Sequence, residues 1–260
     1  MEMSVGYLSV TELSGSYVSQ EQIDRICNCY YWAGKYCQNK DVLEVACGTG
    51  QGLEYLLKIA KSLNAGDYSE KILKIAQAHY GNRIALRQFD AQNMPYKDNS
   101  IDVIILFEAI YYLPSVEKFI SECRRVLRDR GKVLIATANK DLYDFNPSLY
   151  SYKYYGVVEL KELFTKQGFT VEFYGNTSVD ILSSRQKLFR PIKRWAVKFG
   201  LVPKTLEGKR IIKKLIFGRL VKMPSEIKEN MVPFVEPTKL SSSQPDKKHK
   251  VIYCVATLQS

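Results

Sequence analysis

Between Asp41 and Gly52 the chain reads Asp-Val-Leu-Glu-Val-Ala-Cys-Gly-Thr-Gly-Gln-Gly, an apolar strand running into a glycine-rich turn that opens a helix. Glycines at 48, 50 and 52 let the backbone pass close to a ligand, because side chains there would occupy the space the ligand needs. Such a turn has low specificity by itself. A dinucleotide site favours G-x-G-x-x-G, whereas Leu53 holds the last position and Gly52 arrives one place early, which counts against a nicotinamide cofactor. Acids stand at matching places further on. Asp67 closes the second apolar run, Asp90 follows the third and Glu108 the fourth, where a carboxylate can accept charge-assisted hydrogen bonds or take a proton.

With those residues on the page, the chain resembles the class I S-adenosylmethionine-dependent methyltransferases. Glu44-Val-Ala-Cys-Gly-Thr-Gly50 is similar to their first motif, with Ala46 where the family has its first glycine. The resemblance implies S-adenosyl-L-methionine as cofactor, held by Glu44, Ala46, Cys47, Gly48, Thr49, Gly50 and Gly52. It further implies that Asp67, beside Tyr68, accepts from both ribose hydroxyls. Asp90 would accept from the adenine amino group while Ala91 donates its backbone N–H. Asp102 to Glu108 resembles the fourth motif, with Phe107 implied as a further cofactor contact, and Arg125 to Ile135 resembles the helix and fifth strand that follow. The similarity runs from about residue 25 to 175 plus the final strand, and four motifs in order are far more specific than one. The layout also resembles the broad ubiquinone-biosynthesis-like group.

These residues need a scaffold. From Asp41 to Phe173, short runs of Val, Ile and Leu alternate with helical spacing, the pattern of βα units on a parallel sheet. The spacing predicts strands near 41–46, 63–67, 84–89, 101–107, 132–138 and 169–175, and helices over 52–62, 69–80, 115–128 and 156–167, with Gly131 and Gly168 as helix C-caps. The last apolar run, Val251 to Leu258, comes about seventy residues after the sixth strand, too far for a plain loop. The expected fold is therefore α/β: a doubly wound, seven-stranded Rossmann-like sheet with a helical basic insertion before an antiparallel last strand. Its divisions are an N-terminal helical lead-in over 1–38, a cofactor-binding domain over 39–177 and 250–260, and an insertion over 178–249 that covers the acceptor site. Ser241 to Lys250 reads as a mobile loop.

The net charge of +11 is concentrated in one place. Arg185 to Lys222 contains thirteen Lys and Arg against one acid, Glu207, so the remainder is close to neutral. Within that stretch Leu188, Ile192, Trp195 and Phe199 recur at helical spacing. Ile212, Leu215, Ile216 and Leu220 repeat the arrangement among Lys209, Arg210, Lys213 and Lys214, as in basic amphipathic helices. Lysines that merely solvate a packed helix are the plain alternative. Six cysteines without a CxxC pair argue for reduced thiols and against a zinc site. The N-terminus lacks signal-peptide character and no apolar run approaches a membrane span, so the expected location is cytoplasmic, with peripheral contact to an anionic membrane.

The expected reaction is methyl transfer, most simply to oxygen, on a small or lipid-linked, phosphate-bearing acceptor such as a glycan intermediate. Phe107, Glu108, Tyr111, Tyr112 and Asn139 fall at the carboxyl ends of strands, near such an acceptor. Glu108 and His249 are the candidate bases, with a loop histidine the simpler reading of His249. Tyr17 and Tyr30 are further candidates for the pocket lining, and His79 reads as a surface residue. One rival is a nucleic-acid methyltransferase, favoured by the basic segment. Against it, Phe107-Glu-Ala-Ile replaces the Asn-Pro-Pro-Tyr type of signature found in amino-directed enzymes of that kind. Another rival is a non-catalytic module that senses S-adenosylmethionine. No residue pattern signals an oligomeric state.

Overall fold

The apolar runs become strands because β-branched and leucine side chains suit a pleat covered on both faces. In the computed structural model, which describes residues 13–148, 150–181, 188–192, 194–195, 199, 214 and 217–260, the strands are β1 (Tyr17–Ser19), β2 (Asp41–Val45), β3 (Ser62–Asp67), β4 (Ala85–Gln88), β5 (Ile101–Phe107), β6 (Leu127–Ala138), β7 (Phe169–Ser178), β8 (Leu220–Lys222), β9 (Thr238–Leu240) and β10 (His249–Leu258). The principal helices are α1 (Gln20–Cys37), α2 (Leu53–Ile59), α3 (Glu70–Tyr80), α4 (Val116–Val126) and α5 (Val157–Lys166). Ser19 starts α1 with a capping box: its hydroxyl accepts from Gln22 N, and its own N–H donates to the Gln22 side chain.

Eight strands form one sheet in the order β4-β3-β2-β5-β6-β10-β7-β9. The first five are parallel, β10 enters antiparallel between β6 and β7, and β9 runs antiparallel to β7. The order reverses at β2 and β5, and a crevice opens outside the carboxyl ends at such a switch point. Leu43, Ile104, Leu106 and Ile252 pack on the side of α4 and α5. Val42, Ala65, Ile105 and Tyr253 pack on the side of α1, α2 and α3, where Trp32 stacks on Tyr253 at 4.5 Å.

The doubly wound sheet and the antiparallel last strand agree with the sequence reading, and several local expectations change. Gly131 is not a helix cap: α4 ends at Val126, the left-handed residue is Arg130, and Gly131 lies in an irregular stretch of β6 opposite β5. Gly168, at φ 86°, does end α5. The eighth strand, β9, comes from the stretch expected to be helical, and Lys239 faces Glu172 there at 2.9 Å, which places charge on the sheet edge. Leu220, expected on a helix, lies in β8, which pairs with β1 in a separate two-stranded sheet. Ile212, Leu215, Ile216, Lys209, Arg210 and Lys213 lie outside the described residues. The stretch 241–250 is anchored, since Asp246 accepts from His249 N and from Asn139 Nδ2. Among the described residues no helix is long and apolar enough to cross a membrane.

Candidate active site

The turn after β2 is built from left-handed residues: Ala46 at φ 55°, Gly48 at 60° and Gly50 at 84°. Cys47 N continues the ladder to Gly66 O on β3, which swings the turn across the carboxyl end of that strand. Asp67 then clamps it. One carboxylate oxygen accepts from Gly48 N at 3.0 Å, and the other from Ser69 N at 2.8 Å. Burial pushes the Asp67 carboxyl above its usual range, and the backbone donors work the other way. Ala46 holds a conformation that costs a non-glycine residue about 1–2 kcal/mol. Its replacement by glycine returns about half of that once the freer unfolded chain is counted. Ala46→Gly should therefore raise stability by roughly 0.5–1 kcal/mol and Tm by about 1–4 °C, read by calorimetry; a lower Tm refutes the strain.

The other two glycines also serve the protein's own packing. A Cβ on Gly52 would sit 1.9 Å from the Tyr30 ring, and one on Gly50 would sit 2.7 Å from the Tyr80 ring, whose hydroxyl donates to Gly50 O. The outer side of the turn is also covered. Ile227 N donates to Gln51 O, and buried Thr49 lies 3.4 Å, hydroxyl to hydroxyl, from Ser14.

Glu44, near the end of β2, is 2% exposed. Tyr30 donates to its Oε1, while its Oε2 is buried without a hydrogen-bond partner. Burial holds the carboxyl up at about 8; the Tyr30 bond lowers it, and Asp67 nearby raises it. An orphaned buried carboxylate oxygen calls for a donor or a cation. S-adenosylmethionine carries both an ammonium and a sulfonium, so the residues present fit that cofactor. Cys47 is buried beside these acids, and its thiol is pushed up by burial and by Asp67.

Asp90 stands beside Asp67, because Phe89 N donates to Asp67 O and carries the chain across the strand ends. Its carboxylate accepts from Gln92 N at 2.8 Å, and the Gln92 amide is locked by Ser115 N. Ala91 is buried and Tyr68 is 52% exposed. Thus Glu44, Gly48, Asp67 and Asp90 line one run of strand ends at the switch point.

Phe107 packs edge-on to Tyr30 at 5.3 Å. Glu108 follows at φ 50°, a left-handed conformation that turns the chain out of β5. Tyr111 donates to Glu108 Oε2 at 3.1 Å, the Tyr154 ring stacks on Tyr111 at 4.2 Å, and Phe145 packs edge-on to Tyr154. Sequence reasoning missed Tyr154 and Phe145, which lie in an irregular loop with no periodicity to mark them. It also missed the bond from Tyr30 to Glu44, since Tyr30 stood out only as part of an aromatic cluster. Tyr17 lies half-exposed in β1. His79 is on the surface as expected, in contact with Glu226.

His249 and Asn139 depart from expectation. His249 is 8% exposed at the start of β10, with Nδ1 3.1 Å from Asp246 Oδ1 and its ring against Gly175, so it is no loop histidine. Asn139 spends its amide on Asp246 and on His249 O. It is a strut between β6 and β10 rather than an acceptor contact.

Comparison with known proteins agrees with this geometry. Residues 43–135 match the methyltransferase domain family. A probable S-adenosylmethionine-dependent methyltransferase of Mycolicibacterium smegmatis is 33% identical over 142 residues, 52% of this chain and 54% of that protein. A phthiotriol/phenolphthiotriol dimycocerosates methyltransferase of Mycobacterium ulcerans is 35% identical over 98 residues, 36% of each chain. A demethylmenaquinone methyltransferase of Desulfitobacterium hafniense is 35% identical over 101 residues, 36% of this chain and 40% of that one. The chain thus spans about half the length, or less, of the curated relatives it matches. In fold it is similar to a crystal structure of an S-adenosylmethionine-dependent methyltransferase from Archaeoglobus fulgidus, with a TM-score of 0.54 at 16% identity over 92% of this chain and 94% of that one. Glycine turn, clamped acid, strand order and matched segment converge: residues 43–135 match a methyltransferase domain, and the chain is similar in sequence to S-adenosylmethionine-dependent methyltransferases.

Proposed function

We propose that the protein methylates an oxygen of a lipid-linked or quinone-like acceptor, with S-adenosylmethionine as donor. The observation that carries this reading is the aromatic wall around Glu108, formed by Tyr111, Tyr154, Phe145 and Tyr112. Ring faces of this kind suit an apolar or planar acceptor. Relatives named for phthiotriol dimycocerosates and demethylmenaquinone support acceptors of that character. Nothing in the wall favours a phosphate or a glycan.

When bound, S-adenosylmethionine supplies a methyl group already activated by its sulfonium, so the chain has to align, exclude water and remove one proton. Glu44, Gly48, Asp67 and Asp90 form the donor end of the crevice. The Tyr111 and Tyr154 rings exclude water beside it. The Glu108 carboxylate, held by the Tyr111 hydroxyl, takes the acceptor's hydroxyl proton as its oxygen gains the methyl carbon. His249, fixed by Asp246, is a packing residue at the start of β10 and takes no part in the proton transfer.

Incubation with methyl-labelled S-adenosylmethionine and a fractionated cell extract should place label in the organic-soluble fraction. Label confined to nucleic acid would overturn the reading in favour of the rival acceptor. Once an acceptor is isolated, Glu108→Gln should lower kcat by about a hundredfold or more and remove the acidic limb of the pH–rate profile. His249→Asn should stay near the parental rate. Parental rates in both variants would leave catalysis to alignment alone.

A further inference from the structure

The helical residues 188–192, 194 and 195 dock on the rest of the chain by their charged side. Arg190 Nη2 donates to Asp144 Oδ1 at 2.7 Å, and the guanidiniums of Arg190 and Arg194 lie over the Tyr143 ring, 5.3 and 4.7 Å from its centre. Four apolar residues face the other way: Leu188, Ile192, Trp195 and Phe199 are 67%, 56%, 61% and 57% exposed, while Phe189 is partly buried. Their spacing of four, three and four places them on one face, and the Trp195 and Phe199 rings stack at 5.2 Å. A surface helix ordinarily does the reverse, burying its apolar stripe and solvating its charges.

We propose that this outward stripe docks on an anionic lipid bilayer and seats the carboxyl edge of the sheet at the surface where a lipid acceptor resides. The inference rests on the lipid-linked reading of the acceptor. Charge complementarity selects the occupant: by sequence, the stretch from Arg185 to Lys222 that carries the stripe has thirteen Lys and Arg against one acid, and among its described residues Lys214, Arg219 and Lys222 are exposed. Each basic residue near an anionic surface strengthens partition about fivefold. Tryptophan and phenylalanine flanked by cations suit the boundary between headgroups and acyl chains. Nucleic acid fits less well, because the outward side chains are apolar and Arg190 and Arg194 are engaged on Tyr143 and Asp144. The docking point also links the stripe to the reaction. Asp144 is followed by Phe145, which packs on Tyr154, whose ring stacks on the Tyr111 that holds Glu108.

The chain has two tryptophans, and Trp32 is buried at 2% exposure, so a change in emission on binding reports Trp195. Vesicles of phosphatidylglycerol and phosphatidylcholine in equal parts should shift the emission to the blue and co-sediment the full chain at low salt. Pure phosphatidylcholine should do so weakly. Brominated lipid should quench the same emission. The exposed-site double variant Ile192→Glu, Trp195→Glu should lower co-sedimentation about tenfold or more, and Ile192→Ala, Phe199→Ala should weaken it without adding charge. Co-sedimentation that survives both double variants overturns the proposal. So does an unshifted emission with anionic vesicles, or a parental dimer that the variants convert to monomer without any vesicle binding. None of these readouts needs turnover, so their failure leaves the assigned methyl transfer intact, and labelling of a water-soluble acceptor would refute the lipid reading separately.

Discussion

Asp67→Ala is expected to lower affinity for S-adenosylmethionine by at least tenfold, and toward a hundredfold, in titration calorimetry. The carboxylate has two tasks at the carboxyl end of β3: it accepts from Gly48 N and Ser69 N, and each oxygen keeps a lone pair for a ligand hydroxyl. Loss of charge-assisted bonds to a ligand costs about 1.5–3 kcal/mol, and every 1.4 kcal/mol is tenfold. Loss of the clamp adds to this by releasing the left-handed turn. Asp67→Asn separates the two contributions, since its amide oxygen keeps one acceptor while its NH₂ must face a backbone donor. Binding of the demethylated product should fall in parallel, because the ribose is common to both molecules. If Asp67→Ala binds as tightly as the parent, the ribose assignment is wrong.

Glu44→Gln should act on stability and on binding with opposite signs. Burial raises the Glu44 carboxyl from an ordinary 4.5 to about 8, so the folded state holds its proton across a window in which the unfolded chain has lost it. The stability this contributes is complete below about 4.5 and is lost as pH rises through about 8, at up to about 1.4 kcal/mol per pH unit. Asp67, also raised by burial, contributes with the same sign. Glutamine stays neutral throughout, so the ligand-free variant should show a flatter dependence of Tm on pH and exceed the parent increasingly as pH rises from about 4.5, the gap being complete near pH 8 at several kcal/mol at most. A cationic ligand rewards the ionised carboxylate, so the same variant should bind S-adenosylmethionine more weakly. Parental binding should also release protons below about pH 8, seen as a buffer-dependent heat. An unchanged slope of Tm with pH would show that Glu44 is ionised in the folded protein throughout.

The donor end of the site was legible because its parts are local. Strand, left-handed turn and helix follow one another from Asp41 to Ile59, and each later acid closes the strand that precedes it. Spacing along the chain therefore stands in for position along one sheet edge. The acceptor side was less legible: Tyr154 and Phe145 reach Tyr111 from a loop about forty residues away, with no period to reveal them. The segment from Leu220 to Leu240 joins two different sheets by partners that local pattern does not name.

The amino-acid sequence by itself determined the doubly wound order, the antiparallel last strand and the placing of Glu44, Gly48, Asp67 and Asp90 at one edge, since alternating βα periods admit few arrangements. Only the tertiary structure decided what fills the space beside Gly50 and Gly52, because Tyr80 and Tyr30 come from other elements. It also turned Asn139 into a strut and buried His249, both through Asp246. The same holds for the helical residues around Arg190. Their periodicity says that one face is apolar, yet a period has no outside. Tyr143 and Asp144, contributed by the loop after β6, capture the charged face and leave the apolar one toward solvent.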